Sequence, residues 1–429
     1  MTFQPTRRDV LKSSVAAGSA WWFGLGSPSA RAESSPNEKL NLACIGVGGR
    51  GADNVSGLNS QNFVAFCDVD TNRAAKTLEK YPGVKLYSDY RKMLDELEND
   101  IDGVVISTPD HTHFHPGMTA LRMGKHLYCE KPMAHSIWET RQMTELAAEK
   151  KVATQLGVQR HTLGVMHRSV EIIKAGVIGE VKEVYSWMNG DRGMPKIPTD
   201  KPDVPAHLDW DLWIGPAPMR AYHPSICPYG WRFWWDYGTG ETGNFGCHIL
   251  DIPFWALDLK YPSLVEASGP EVHPLTTPKQ MQTKFHFPDQ NVDLYWSHAK
   301  NGPDILREKK LEANGFNTLF IGSEGMLLTG FGKYKLYPEE KFAEVKVEKS
   351  IPDSPGFHKE WINACKGGSP ATCDFSYSGP LTETVLLGNV AYRAKADDGF
   401  AWKAETLEVK GNTAAATLIK PEFRKGWEI

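Results

Sequence analysis

Six residues, Gly46-Val47-Gly48-Gly49-Arg50-Gly51, constrain this chain more than any other stretch, because they follow the apolar run Leu40-Asn41-Leu42-Ala43-Cys44-Ile45 without a gap. The run reads as a buried strand, and Val55 and Leu58 beyond it fit the inner face of a helix. Strand, glycine turn and helix is the context that G-x-G-x-x-G requires. Gly46 permits the tight turn, Gly48 lets the backbone approach a pyrophosphate, and Gly51 lets helix and strand pack closely, while Gly49 and Arg50 border phosphates held at the helix N-terminus. The motif alone is weak, but a second strand, Phe63-Val64-Ala65-Phe66-Cys67, ends in Asp68. A carboxylate about twenty residues after the glycines accepts from the adenosine ribose hydroxyls. It also repels the 2'-phosphate of NADP, so NAD is the expected cofactor, a preference that Arg50 and Arg73 soften. Asp70 suits a helix cap better than Asp68, which closes a strand.

The alternation continues. A helix is expected over 90–97, a strand over 101–107, a helix over 115–123, and strands over 126–129 and 152–156. Strands alternating with helices give an α/β, doubly wound parallel sheet with ligands at the carboxyl ends of its strands. Besides the glycine loop, two segments fall at such ends: Thr108-Pro109-Asp110-His111-Thr112-His113 and Glu130-Lys131-Pro132. This sheet uses about a third of a 429-residue chain, and single cores stop growing well below that length, so a second domain follows.

These three segments together give the chain a resemblance to the Gfo/Idh/MocA family, and E-K-P after the fifth strand is the most telling of them. The likeness runs on through Gly176-Val177-Ile178-Gly179-Glu180-Val181 and Ile321-Gly322-Ser323-Glu324-Gly325. It also includes Gly243-Asn244-Phe245-Gly246-Cys247-His248-Ile249-Leu250-Asp251, where many members read G-D-x-G-x-H-x-x-D. In all it covers roughly 38–410. The resemblance implies a Rossmann domain over 38–156 and a C-terminal α+β substrate-binding and oligomerisation domain over 157–429, built on a large, mostly antiparallel open sheet. β-Favouring residues over 181–188, 284–287, 292–297 and 317–321 agree with that. A helix over 381–396 is expected to return to the first domain, and homo-oligomers joined through the open sheet are implied by the resemblance alone.

Oxidising a secondary alcohol needs a hydride acceptor and a base. The resemblance nominates Lys131 as base, its amine lowered in pKa by burial. Glu130 is expected to orient the lysine or the nicotinamide ribose, although the dipeptide by itself also suits a surface ion pair. His248 is the second nominee, with Asn244 one helical turn earlier on the same face. Asn244 stands where many members carry Asp, and an amide positions a hydroxyl without taking its proton. Thr108, Pro109, His111 and His113 fall where the family contacts nicotinamide; the two histidines also admit a metal, but none is expected. Gln159, beside the cofactor, and Arg160, Asp191 and Arg192, toward substrate, complete the polar set. Trp231, Trp234 and Trp235 offer a wall that stacks on a sugar face or simply fills core.

A formal charge of −4 with 23% charged residues provides no basic field for nucleic acid. At the N-terminus, Thr6-Arg7-Arg8-Asp9-Val10-Leu11-Lys12 resembles the twin-arginine export motif. It precedes an apolar stretch from about Ser13 to Gly26, too short to span a bilayer, and Ala30-Arg31-Ala32, a small-residue cleavage site. Residues 1–32 are therefore expected to be a signal peptide and the mature chain a periplasmic protein without stable membrane insertion. Seven cysteines, an odd number, with Cys44, Cys67 and Cys129 in expected strands, fit small buried hydrophobes rather than a disulfide framework. Outside the cytoplasm no soluble NAD pool is expected, so the cofactor has to be tightly held and recycled. Three functions fit: a closed-cycle sugar, polyol or glycoside oxidoreductase; a redox-neutral glycosidase or epimerase working through transient oxidation; and a non-catalytic sugar-binding protein.

Overall fold

The computed structural model describes residues 39–429, so the twin-arginine motif, the apolar stretch and the cleavage site lie outside the described residues. Strand β1 (Asn41–Ile45) is completely apolar on both faces after its first residue and sits at the centre of a parallel sheet. Helix α1 (Arg50–Gly57) leads to β2 (Asn62–Cys67), and α2 (Thr71–Lys80) to β3 (Lys85–Tyr87). Asp70 caps α2, accepting from the backbone N–H groups of Asn72 and Arg73. Helix α3 (Tyr90–Glu96), β4 (Gly103–Ile106), α4 (Phe114–Arg122), β5 (His126–Cys129), α5 (Ile137–Lys150) and β6 (Thr154–Leu156) complete the half. The strand order is β3-β2-β1-β4-β5-β6. The order reverses between β1 and β4, and there a crevice opens at the carboxyl ends.

After α6 (Gly164–Lys174) the chain builds a second sheet. Strands β7 (Val181–Asn189), β8 (Leu264–Ser268), β9 (Met281–Phe287), β10 (Val292–Ala299), β11 (Thr318–Gly322), β12 (Met326–Thr329), β13 (Tyr334–Tyr337), β14 (Phe400–Lys403) and β15 (Glu408–Lys410) pair in the order β13-β12-β11-β7-β10-β9-β8-β14-β15. Only β7 and β10 run parallel; the other pairs are antiparallel. Alternate residues of β9 are buried, the period-two pattern of a sheet with one covered face. Two consecutive helices, α7 (Gly240–Ile249) and α8 (Asp251–Leu257), and the long α9 (Phe375–Arg393) cover it.

Helix α9 also packs on α5 of the first sheet, as the expected return helix should. Arg141 and Glu383 tie that contact with two parallel bonds of 2.8 Å each, and Arg141 Nη1 donates to the Ala404 carbonyl at 2.7 Å. Farther on, residues 418–427 lie back across the first half: the Trp138 N–H donates to the Ile419 carbonyl and His115 Nε2 meets the Trp427 carbonyl at 2.7 Å. All seven cysteines are buried. Among the described residues no helix is long and apolar enough to cross a membrane.

Candidate active site

A cavity of about 730 Å³ opens at the crevice between β1 and β4 and runs from the glycine loop to α7, within the size range of small-molecule sites. Gly46 holds φ +76°, a left-handed conformation, and a Cβ on Gly51 would lie 1.9 Å from the Gly46 carbonyl oxygen. These are the turn and the close approach that the motif requires. Gly48, Gly49 and Arg50 line the cavity. Asp68 stands at the end of β2 and accepts from the backbone N–H groups of Val47 and Asp70, each at 3.0 Å. Burial pushes its carboxyl pKa up while those two bonds oppose the shift. Loop, helix N-terminus and carboxylate fit the phosphates and ribose of a dinucleotide, with Arg73, Thr108 and Pro109 on the same wall.

Glu130 is not paired with Lys131. Its Oε1 instead accepts from Arg50 Nε (3.1 Å), Asn54 Nδ2 (2.9 Å) and Gln159 Nε2 (2.8 Å), which binds the β5 end to α1 and to the β6 end at the cavity wall, where Glu130 and Gln159 both stand. Three donors on one buried oxygen leave it acting as a hub, not as a partner of the lysine.

Lys131 turns the other way. Its Nζ donates to the Asn244 carbonyl at 2.6 Å and to Asn244 Oδ1 at 3.2 Å. Burial lowers the amine's pKa, and the charges of Glu130 and Asp110 only partly restore it. Asn244 and His248 share one face of α7, four residues apart, and both line the cavity with Lys131. His248 is held neutral, its pKa driven well down by burial and then by the positive charges of Lys131, Arg160 and Arg50. Its Nδ1 is buried with no partner among the described residues, the kind of atom a bound ligand satisfies.

The departure from Asp at position 244 has a local reason. Asn244 Nδ2 donates to Glu241 Oε2 at 3.1 Å, and Glu241 is buried and paired with Arg192. An amide bridges the ammonium and the carboxylate; an aspartate there would set a second negative charge against Glu241. Sequence reading missed Glu241, whose only signal is its place one turn before Asn244.

Several nominated residues lie elsewhere. His111 faces the carbonyls of Tyr237 (3.2 Å) and Trp213 (3.0 Å), with its pKa lowered by burial to about 3. His113 faces those of Pro132 and Thr108, each at 2.8 Å. Both rings are committed to backbone and neither lines the cavity, so their part is to fix the loops that do. Asp191 is exposed and away from the cavity. Arg192 is consumed by Glu241 and by Tyr229 Oη at 2.8 Å. Of Trp231, Trp234 and Trp235, the first lines the cavity, as Trp213 also does, while the other two fill core, Trp235 donating to the His273 carbonyl at 3.1 Å. Arg160 does line the cavity, on a turn steadied by His161, whose Nδ1 faces both oxygens of Asp251 at 3.0 Å. Arg232, Tyr229 and Trp427 also line it and were not anticipated.

A parallel sheet with a glycine loop at its switch point, met by a helix from an open mixed sheet, defines the two-domain nicotinamide-dinucleotide proteins. The chain belongs to the Gfo/Idh/MocA oxidoreductase family. Residues 40–158 match the family's NAD-binding Rossmann fold, and residues 173–300 match its C-terminal alpha/beta domain. It is 28% identical over 153 residues to inositol 2-dehydrogenase of Salmonella typhimurium, covering 34% of this chain and 45% of that one. It is 28% identical over 210 residues to a glycosyl hydrolase family 109 protein of Solibacter usitatus, covering 43% and 46%. The chain thus spans less than half the length of the curated relatives it matches. A levoglucosan dehydrogenase solved with NADH and levoglucosan superposes with a TM-score of 0.58 at 16% identity, over 85% of this chain and 99% of that one, and shares the fold.

Proposed function

We propose that this protein is an NAD-dependent oxidoreductase acting on a secondary hydroxyl of a sugar, polyol or glycoside, with the cofactor tightly held and recycled in place. The observation that carries the reading is the meeting of Lys131, Asn244 and His248 with the glycine loop and Asp68 in one cavity. Gly46, Gly48, Gly49, Arg50 and Asp68 would hold the dinucleotide's phosphates and adenosine ribose, with Thr108 and Pro109 beside them. When bound, the nicotinamide supplies the hydride acceptor. Lys131, in the neutral form that burial favours, takes the proton of the substrate hydroxyl at Nζ, and Asn244 holds that nitrogen in place. His248, neutral, is a hydrogen-bond partner for the same hydroxyl.

Export of the kind the N-terminal sequence implies makes a retained cofactor necessary. The test is the near-ultraviolet absorbance of the purified protein, followed without added dinucleotide while candidate sugars are mixed in. Bound nicotinamide reduced by one sugar and reoxidised by another is the expected result; a protein that binds no dinucleotide overturns the reading. The similarity to the glycosyl hydrolase family 109 protein favours a second, redox-neutral reading. Glycoside cleavage with only a transient absorbance change would select it.

Cofactor choice has its own test. Asp68→Asn keeps an acceptor for the Val47 N–H but removes the charge beside the ribose. Like-charge contact costs several kcal/mol, so the preference for NAD over NADP is expected to fall by about tenfold or more. Unchanged affinities for the two dinucleotides would remove Asp68 as the discriminating group.

A further inference from the structure

The reacting end of the cavity carries more positive charge than the protein itself neutralises. Arg160 lines the cavity with its guanidinium over the Phe331 ring, 3.9 Å from the centroid. Among the described residues it has no carboxylate partner and no protein acceptor for its side-chain donors. Arg232 lies against two rings, 4.3 Å from Trp231 and 4.5 Å from Tyr229, and spends one donor on the Tyr229 carbonyl at 3.1 Å. It too has no ion pair among the described residues. A guanidinium offers five N–H donors and stays charged, so each presents unsatisfied donors at the cavity wall. Burial lowers the pKa of both, the mark of cations without a full counter-charge.

No nearby acid forms an ion pair with either guanidinium among the described residues, although the charge of Asp110 acts on Arg232 from a distance. Asp110 Oδ2 accepts from the Thr239 N–H at 3.1 Å and from its hydroxyl at 2.6 Å. Glu130 is taken by Arg50, Asn54 and Gln159, and Glu241 by Arg192 and Asn244. The dinucleotide's phosphates belong at the glycine loop, beside Arg50 and Arg73. Arg160 instead acts electrostatically on His248 and Arg232 on Lys131, the two groups nominated for the chemistry.

We infer that the substrate is an anionic sugar, whose carboxylate or phosphate is held by Arg160 and Arg232 while a hydroxyl of the same molecule meets Lys131. Each guanidinium rests against an aromatic ring, and its planar fork suits recognition of a carboxylate or phosphate. This rests on the oxidoreductase reading and names the class of substrate for that site.

The test is calorimetric binding to the NAD-loaded protein of matched pairs: glucuronate against glucose, galacturonate against galactose, mannuronate against mannose, and the 6-phosphates of the same hexoses. At least one acidic member is expected to bind about tenfold or more tightly than its neutral partner, the contribution of a charge-assisted hydrogen bond. A preference for uronates or for phosphates identifies which anion is held. Arg160→Gln and Arg232→Gln are each expected to reduce that preference to about threefold or less, while the corresponding lysine variants, which keep the charge, retain part of it. NAD affinity, measured separately, is the check that each variant is folded. No acidic preference across the panel, or a preference that survives both glutamine variants, overturns the inference. Failure of the parent protein to bind NAD would overturn the oxidoreductase reading instead.

Discussion

Lys131→Ala is expected to lower turnover by about 10²- to 10⁴-fold, the usual contribution of a positioned acid–base group, with NAD affinity within a few-fold of the parent. The amine of Lys131 lies against the cavity with a lowered pKa. It donates to two oxygens of Asn244, the neighbouring acid Glu130 is already engaged by three other donors, and burial pulls its pKa down. The sign of the pH dependence follows. A base whose pKa is lowered becomes neutral at lower pH, so kcat/KM should rise with pH through that depressed value and level off below the pH at which an ordinary lysine titrates. A steady-state pH profile checks both parts: the rising limb should vanish in Lys131→Ala and shift in Asn244→Ala, which removes the Oδ1 contact. Near-normal turnover in Lys131→Ala would remove the lysine from the reaction.

The second large effect concerns stability. Glu383→Ala is expected to cost about 3–5 kcal/mol, because it leaves the Arg141 guanidinium buried without its bidentate partner. Arg141 belongs to α5 of the parallel sheet and Glu383 to α9, which covers the open sheet, so the loss falls on the contact between the two halves. Replacing both, Arg141→Met with Glu383→Leu, removes the two charges together and should recover most of the loss. Denaturant unfolding of the three variants decides it. A shift of less than about 1 kcal/mol in Glu383→Ala would place the pair among weak surface bridges.

What could be read from the chain beforehand was what is local. The β1–glycine–α1 unit, the end of β2 at Asp68, the Lys131 turn and the Asn244–His248 face of α7 each depend on a few consecutive residues, and each appears in the structure where the pattern placed it. The misreadings concern direction. His111 and His113 sit at a strand end as expected, but spacing does not say that their rings turn inward to backbone carbonyls. Glu130 and Lys131 are adjacent in sequence and point to different partners. Arg192 and Trp235 belong to the irregular region between β7 and α7, where no period of two or 3.6 residues indicates which side faces inward. The same region hides Arg232, and short β3 has too few residues to register as a strand.

Trp427 lines the dinucleotide cavity, its carbonyl meets His115, and the Arg91 guanidinium lies 4.6 Å from its ring. Residues 418–427 come after both sheets in the order of synthesis, yet they supply part of the wall around a pocket whose glycine loop is made near the beginning. On the ribosome, where domains fold as they emerge, the parallel sheet can form while this wall is still missing. The wall of that pocket is therefore complete only after residue 427 has been translated.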